Sequence, residues 1–177
     1  MKKNKVFVVG MAVFLIGAGG VFAQTGDTDQ LGIGVQYDFD VGNYYAMGFS
    51  ASLKLPDLPV WWTANARFYP FGETDLAWSA GLSGDYYFFG FEGDFLMHFS
   101  LGAGGFFDIG IGINDAEVFD IGVELAVGTS FRLSFFELYI QMKPGIGIAL
   151  GKDGPATLDG AGFYWNVITS SGVRFWF

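Results

Sequence analysis

The most regular feature of the chain beyond residue 30 is a two-residue alternation of apolar and polar positions. Over residues 95–113 the odd positions are mostly large and apolar, whereas the even positions are small or polar and include His98, Ser100 and Asp108. Successive side chains of a β-strand point to opposite faces, whereas a helix repeats every 3.6 residues. The stretch therefore predicts a β-strand with one apolar and one polar face.

Seven further segments alternate in the same way, which gives eight predicted strands in all. Their apolar series lie in residues 31–39, 45–53, 62–68, 76–88, 121–133, 136–150 and 163–177. The predicted connections are rich in Gly, Pro, Asn and Asp and lie near residues 40–44, 55–60, 70–75, 89–94, 114–117, 133–135 and 151–161. Many strands at short, regular spacing indicate an all-β fold.

Charged residues distinguish a membrane barrel from a soluble sandwich. Eleven charged residues fall within the predicted strands, all on the face opposite the apolar series: Asp38, Lys54, Arg67, Asp85, Asp108, Asp120, Glu124, Arg132, Glu137, Lys143 and Arg174. Five are basic and six are acidic, so they can compensate one another inside a barrel. A single charge facing lipid at mid-membrane would cost about 2–4 kcal/mol.

A soluble sandwich would instead turn the apolar face inward and the polar face to water. The apolar series, however, have the length of a membrane-spanning strand, about 9–11 residues. Aromatic residues also lie near the strand ends, where barrels carry interfacial girdles: Trp61, Trp62, Phe68, Trp78, Phe88, Phe163, Trp165, Phe175 and Phe177. We therefore predict an eight-stranded antiparallel up-and-down transmembrane β-barrel.

The amino terminus has the order of a secretory signal. Lys2, Lys3 and Lys5 precede an apolar run, and a small-residue stretch then ends at Ala23. The alternative, a membrane anchor, needs about 20 apolar residues, and glycines interrupt this shorter run. We predict a signal peptide over residues 1–23 and the barrel over residues 24–177. Removal of the three lysines leaves six basic against 18 acidic residues.

Composition excludes several classes of function. The chain of 177 residues has no Cys, which excludes disulfides and thiolate-bound metals. Its formal charge of −9 argues against nucleic-acid binding, which needs Lys and Arg for phosphate contacts. We predict no cofactor and no metal site.

The carboxyl terminus resembles the terminal-strand signal of bacterial outer-membrane barrels. The matching positions are a polar residue, a glycine, an apolar residue and a final aromatic: Ser170, Gly172, Phe175 and Phe177. The chain as a whole resembles the small eight-stranded barrels of the OmpA, OmpX and OmpW kind. This resemblance implies an outer-membrane location, contact with outer-membrane lipid, handling by periplasmic chaperones and the barrel-assembly machinery, and a monomer. An even number of strands places both chain ends in the periplasm.

Inward charges form the main candidate site, a predicted lumen polar network. Its members are Lys54, Arg67, Asp85, Glu124, Arg132, Glu137, Lys143 and Arg174. Arg132 and Glu137 flank a tight turn and should meet across it, and Glu124 and Lys143 are diagonal neighbours. The network could gate a pore or plug the lumen with paired charges. Eight strands enclose room only for side chains, which favours the plug.

The sequence does not fix the width of the lumen, because many inward positions are glycines. They would leave space unless inward aromatic residues cover them. Those aromatic residues are Trp61, Tyr69, Tyr87, Phe106, Tyr139, Tyr164 and Trp176.

Two other groups carry weaker hypotheses. His98, with Ser100 or Ser83 and Asp85, could form a hydrolase triad, although a hydrogen-bonded lumen histidine explains it better. Acidic residues of the expected outer face could bind divalent cations, although a solvated rim is the simpler explanation: Asp40, Glu73, Asp75, Asp115, Glu117, Asp153 and Asp159.

We therefore expect a non-enzymatic outer-membrane barrel that serves as a structural element or a narrow passive pore. The alternatives are an OmpW-like conduit for small apolar molecules and, less favoured, a lipid-modifying hydrolase. The conduit would require an opening in the barrel wall towards lipid.

Overall fold

The computed structural model describes residues 29–42, 45–71, 76–92, 97–112, 117–151 and 161–177 as a closed antiparallel barrel. Its strands are β1 (Gly32–Gly42), β2 (Tyr45–Lys54), β3 (Val60–Phe71), β4 (Leu76–Glu92), β5 (Met97–Gly112), β6 (Glu117–Leu133), β7 (Phe136–Gly151) and β8 (Ala161–Trp176). The predicted eight-stranded all-β fold is confirmed. The part of the chain that the structure describes holds no helix long and apolar enough to cross a membrane. The predicted signal peptide lies outside the described residues.

Pairing of the first and last strands closes the barrel. The register runs from Gly32 opposite Trp176 to Gly42 opposite Asn166. Beyond the strand ends, Leu31 N donates to Phe177 O at 3.1 Å, and Phe177 N donates to Leu31 O at 2.9 Å. Closure leaves no sheet edge whose N–H and C=O groups would need another partner.

Side-chain burial alternates along the strands, and the polarity is inverted relative to a soluble domain. On the outer face, Phe49 is 67% exposed and Ile146 is 59% exposed. In the lumen, Asp38 and Asp85 are 2% and 1% exposed. Of the eleven charged residues predicted to face inward, nine are buried, and Asp120 and Arg132 are half-buried. The predicted phase holds along the strands except in β4 beyond Tyr87.

A bulge in β4 changes the direction of the side chains beyond Tyr87, and the prediction is wrong there. The pairing with β5 shifts between Tyr87 and Phe89, so Phe89 is 55% exposed on the outer face while Phe88 is half-buried. A bulge adds one residue to a strand and therefore reverses the alternation beyond it. Phe88 was thus wrongly placed in the outward series. The turn expected near residues 89–94 is also wrong, because β4 continues to Glu92.

Burial decides between the two predictions made for Trp61. It was expected both near the interfacial girdle and among the inward aromatic residues, and it faces the lumen with only 8% exposure. Among the described residues β5 begins at Met97, and the predicted start at Phe95 lies outside them. The other expected girdle residues lie on the outer face: Trp62, Phe68, Trp78, Phe163, Trp165, Phe175 and Phe177.

The two ends of the barrel are distinguished by the chain termini. We call the end that carries residues 29–31 and Phe177 the terminal end, and the other the opposite end. The terminal end has a five-residue connection after β2, in which Asp57 takes a positive φ of 64°. It also has the two-residue hairpin of Ser134 and Phe135, where Ser134 has a φ of 50°. Short hairpin turns require such left-handed residues.

The outer face gives a first prediction. Because the apolar exterior is predicted to contact lipid, Ile146→Arg should destabilise the barrel in phospholipid vesicles by about 2–4 kcal/mol. Urea unfolding in vesicles measures the loss. Leu58→Arg is the matched control, since Leu58 is exposed in the turn after β2 and should change stability by less than about 1 kcal/mol. Equal losses at both positions would contradict a lipid-facing belt.

Candidate functional site in the barrel lumen

The centre of the lumen holds a buried ion triad. The Lys143 ammonium lies 3.1 Å from Glu124 Oε1 and also pairs with the Asp85 carboxylate. The lysine is contributed by β7, and its partners by β6 and β4. All three side chains are less than 5% exposed. One cation held between two anions leaves the triad with a formal charge of −1.

The Asp38 carboxylate and its neutral polar partners extend this layer to the other side of the lumen. Gln36 Nε2 donates to Asp38 Oδ1 at 2.6 Å and to Ser170 Oγ at 3.2 Å. The Ser50 hydroxyl also donates to the Asp38 carboxylate. These contacts tie β1 to β2 and β8.

Two tyrosine–glutamine contacts complete the layer. Tyr139 donates to Gln36 Oε1 at 2.5 Å, and Tyr87 donates to Gln141 Oε1 at 3.0 Å. We call this layer the central network: Gln36, Asp38, Ser50, Asp85, Tyr87, Glu124, Tyr139, Gln141, Lys143 and Ser170. It draws on six of the eight strands, and all its members are buried. The lumen is therefore filled at mid-height.

A second cluster lies towards the opposite end. The Arg67 guanidinium is 3.5 Å from Asp108 Oδ2 and 3.8 Å from Asp40 Oδ2. Asn166 Nδ2 donates to the same Asp40 oxygen at 3.2 Å. Asp120 stands directly across from Asp108 in the β5–β6 register. These residues surround a space of only about 20 Å³.

The structure corrects the predicted position of Asp40, which was expected on the acidic outer rim. β1 extends to Gly42, and the even positions of this strand face the lumen, so Asp40 is only 7% exposed. Glu73, Asp75, Asp115, Asp153 and Asp159 lie outside the described residues, as does the Glu117 side chain.

A third cluster at the terminal end combines cations with aromatic rings. The Arg174 guanidinium lies 3.6 Å from the ring centroid of Tyr139 and 4.3 Å from that of Trp61. It also approaches Glu137 Oε1 at 3.5 Å, and Trp176 Nε1 donates to Glu137 Oε2 at 2.8 Å. Contacts of this kind stabilise a guanidinium that is removed from water.

Arg132 lies at the edge of this cluster. Arg132 and Glu137 are opposed in the β6–β7 register, as the hairpin predicted. The guanidinium of Arg132 nevertheless lies over the Trp176 ring at 4.3 Å and donates to Gln30 Oε1 at 2.5 Å. The ion pair of Glu137 is formed with Arg174 on the neighbouring strand β8.

A cavity of about 380 Å³ adjoins the terminal-end cluster. Its lining includes Trp61, Tyr87, His98, Ser100, Ser130, Arg132, Glu137, Tyr139, Gln141, Arg174 and Trp176. Gln141 and Tyr87 belong to the central network, so this network forms the floor of the cavity. The two lumen spaces are thus separated by a buried polar layer.

All eight residues of the predicted lumen polar network face inward, but they are divided among different clusters. Asp85, Glu124 and Lys143 are central, Arg67 is near the opposite end, and Arg132, Glu137 and Arg174 are at the terminal end. Lys54 is also buried, and its ammonium is 3.5 Å from Leu55 O. The chain of Gln36, Asp38, Ser50 and Ser170 was missed, although the inward positions of β1 are polar in succession.

Inward aromatic side chains cover inward glycines. Gly147 pairs with Tyr164 across β7 and β8, and a Cβ at this glycine would lie 2.8 Å from the tyrosine ring. Gly102 pairs with Tyr87 across β4 and β5, and a Cβ at this glycine would lie 3.0 Å from the Tyr87 ring. The glycines therefore make room for rings in the lumen.

The hydrolase constellation is not assembled. His98 and Ser100 both line the terminal-end cavity, but Asp85 pairs with Lys143 and stands opposite Gly104. At about 3.3 Å per residue, six residues of β5 separate His98 from that level by about 20 Å. Within the described ranges, no three His, Asp or Glu residues are arranged to hold a metal ion.

The residues of the expected assembly signal lie along β8 and just beyond it. Ser170 is fully buried beside Gln36, whereas Phe175 and Phe177 are 37% and 72% exposed on the outer face. Gly172 pairs with Gln36 of β1. The two phenylalanines are therefore accessible from outside the barrel wall.

Comparison with solved structures shows the same fold. Neisserial surface protein A (NspA) superposes with a TM-score of 0.52 at 14% sequence identity, over 84% of this chain and 97% of that one. The N-terminal β-barrel domain of Pseudomonas aeruginosa OprF gives a TM-score of 0.44 at 16% identity, over 81% and 97%. No protein-family model and no curated protein matches the sequence. The fold is that of small eight-stranded outer-membrane β-barrels.

The ion triad gives a second prediction. Lys143→Met would leave Asp85 and Glu124 buried without their cation, and it should destabilise the barrel by about 3–5 kcal/mol. Urea unfolding of the refolded protein in vesicles measures the loss. The triple variant Lys143→Met, Asp85→Asn, Glu124→Gln removes all three charges and should recover most of it. If the single variant is as stable as the native protein, the triad is not a buried ion cluster.

Proposed function

We propose that this protein is an integral outer-membrane β-barrel, that it is not an enzyme, and that it has a structural role with a closed lumen. The single observation that carries the closed lumen is the central network, which is buried throughout and separates the two lumen spaces. A conduit for small apolar molecules is disfavoured, because it would require an opening in the wall towards lipid, and within the described residues each of the eight strands pairs with both neighbours.

The outer face supports insertion into a membrane. Large apolar side chains are exposed on every strand, among them Val35, Phe49, Trp62, Leu82, Ile109, Leu125, Ile140 and Trp165. A soluble protein rarely exposes so continuous an apolar surface. The strands run for 10 to 17 residues, and about 9–11 suffice to cross the hydrocarbon core.

Sequence signals at the amino and carboxyl ends support a proposal for export and assembly. Residues 1–23 have the order of a secretory signal, and Ser170, Gly172, Phe175 and Phe177 match the barrel-assembly signal. We propose that periplasmic chaperones deliver the chain to the barrel-assembly machinery and that the product is a monomer. Both chain ends would then face the periplasm, which places the terminal-end cavity on that side.

Ion conductance tests the closed lumen. The refolded protein, with insertion verified by heat-modifiability and protease protection, should show no resolved current steps in a planar lipid bilayer, because no water-filled path crosses the central network. Reproducible steps that change in Lys143→Ala or Glu124→Ala would contradict the closed lumen and establish a pore gated by those charges.

Membrane assembly in cells tests the carboxyl-terminal signal. Phe177→Ser should lower the heat-modifiable fraction recovered from outer membranes several-fold, because the final aromatic residue would no longer be recognised. Phe163→Ser is the matched control, since this residue lies on the same strand and is 79% exposed. Both variants should refold equally well in detergent. An equal loss in cells for the two variants would contradict a specific signal.

A further inference from the structure

Lumen charge is separated along the barrel axis. The described charged side chains in the lumen at the terminal end are Lys54, Arg132, Arg174 and Glu137, with a net formal charge of +2, whereas Asp29 and Asp57 at the same end are exposed. The cluster near the opposite end, Arg67 with Asp40, Asp108 and Asp120, carries −2. The central network between them has Lys143 against Asp38, Asp85 and Glu124, so the basic side chains of the lumen are concentrated beside the terminal-end cavity, where an anion is favoured.

Among the described residues, the contacts of Arg132 at this end are neutral. Its contacts are the Trp176 ring, Gln30 Oε1 and, at 3.4 Å, Ser134 O. All three are formally neutral, and the ion pairs within the described ranges do not include this guanidinium. Glu137 instead compensates Arg174. A single negative charge in the cavity would balance Arg132.

Arg174 provides a second, independent indication. This side chain is only 8% exposed, lines the cavity, and has a buried Nε–H group for which the described residues provide no acceptor. Buried donors of a guanidinium are nearly always satisfied. Arg174 lines the cavity, and a carboxylate there can accept from a guanidinium through two oxygens.

The walls of the cavity fit a flat apolar body. Trp61 and Trp176 meet edge to face, with ring centroids 5.4 Å apart, and Tyr87 and Tyr139 add two further rings. Ser100 and Ser130 contribute hydroxyl groups. A volume of about 380 Å³ lies within the range of small-molecule sites.

We propose that the terminal-end cavity binds a small organic monocarboxylate with an aromatic or similarly flat apolar body. Its carboxylate is held by Arg132 and Arg174, and its body packs against the indole rings of Trp61 and Trp176. A monoanion is preferred over a dianion, because Glu137 already compensates one of the two arginines.

Calorimetric titration of the folded protein in neutral-lipid nanodiscs tests the site. The probes are 2-naphthoate and its neutral analogue 2-naphthamide, and empty nanodiscs supply the partition background. The native protein should bind the anion about 10-fold more tightly than the amide, which is the scale of one charge-assisted contact. Arg132→Gln should remove this preference, whereas Arg132→Lys should retain part of it.

Asp120→Asn is the control for long-range charge, since Asp120 lies in the cluster near the opposite end and should leave the preference unchanged. Equal binding of the two probes by the native protein would overturn the proposal, because apolar partition alone would then explain the heat. A preference that persists in Arg132→Gln would place the anion elsewhere and would also overturn it. Neither result depends on whether the lumen conducts ions.

Discussion

Backbone pairing between β1 and β8 is the interaction on which the rest of the structure depends. It removes both sheet edges and turns a long, apolar meander into a surface that lipid can cover without exposed N–H or C=O groups. Once the barrel is closed, the alternation along each strand has only one consistent outcome. Apolar residues such as Phe49 face outward, and polar residues such as Asp38 are confined to the lumen.

Confinement of the polar side chains to the lumen then determines how their charges are paired. Buried charges are stable only when they are paired and hydrogen-bonded, and Lys143 between Asp85 and Glu124 meets this condition at mid-height. The charges are unequal along the lumen, with an acidic excess at mid-height and towards the opposite end and a basic excess in the lumen at the terminal end. The barrel is thus closed at its centre but chemically distinct at its two ends, and aromatic rings over glycines such as Gly147 fill much of the remaining space.

Most of the fold could be predicted from the sequence, because a period of two is directly visible and the faces are chemically distinct. The inward position of all eleven charged residues follows from that period alone. The part of β4 beyond Tyr87 could not be predicted, because a bulge at Phe88 changes the phase without changing the composition. Asp40 was misplaced for a related reason, since a strand end cannot be located to within two residues from turn-forming residues.

The partners within the site were harder to predict than its members. Sequence spacing brings Arg132 opposite Glu137 across the hairpin, but the Glu137 ion pair is made by Arg174, which is distant in sequence and becomes adjacent only through the β7–β8 register. The pairing of Lys143 with Asp85 likewise crosses the lumen between non-neighbouring strands. Such contacts depend on barrel width and strand stagger, which local patterns do not contain.

The most direct test of the account is a measurement of whether lipid or water contacts the outer face. The chain has no Cys, so single cysteines at Leu138, Ile140, Met142 and Ile146 of β7 can each carry one spin label in the refolded protein in vesicles. The account predicts that these labels collide with lipid-soluble oxygen and are protected from an aqueous nickel chelate, whereas a label at Phe135 in the hairpin is accessible to the chelate. Free access of the chelate to the labels along β7 would contradict a lipid-facing exterior.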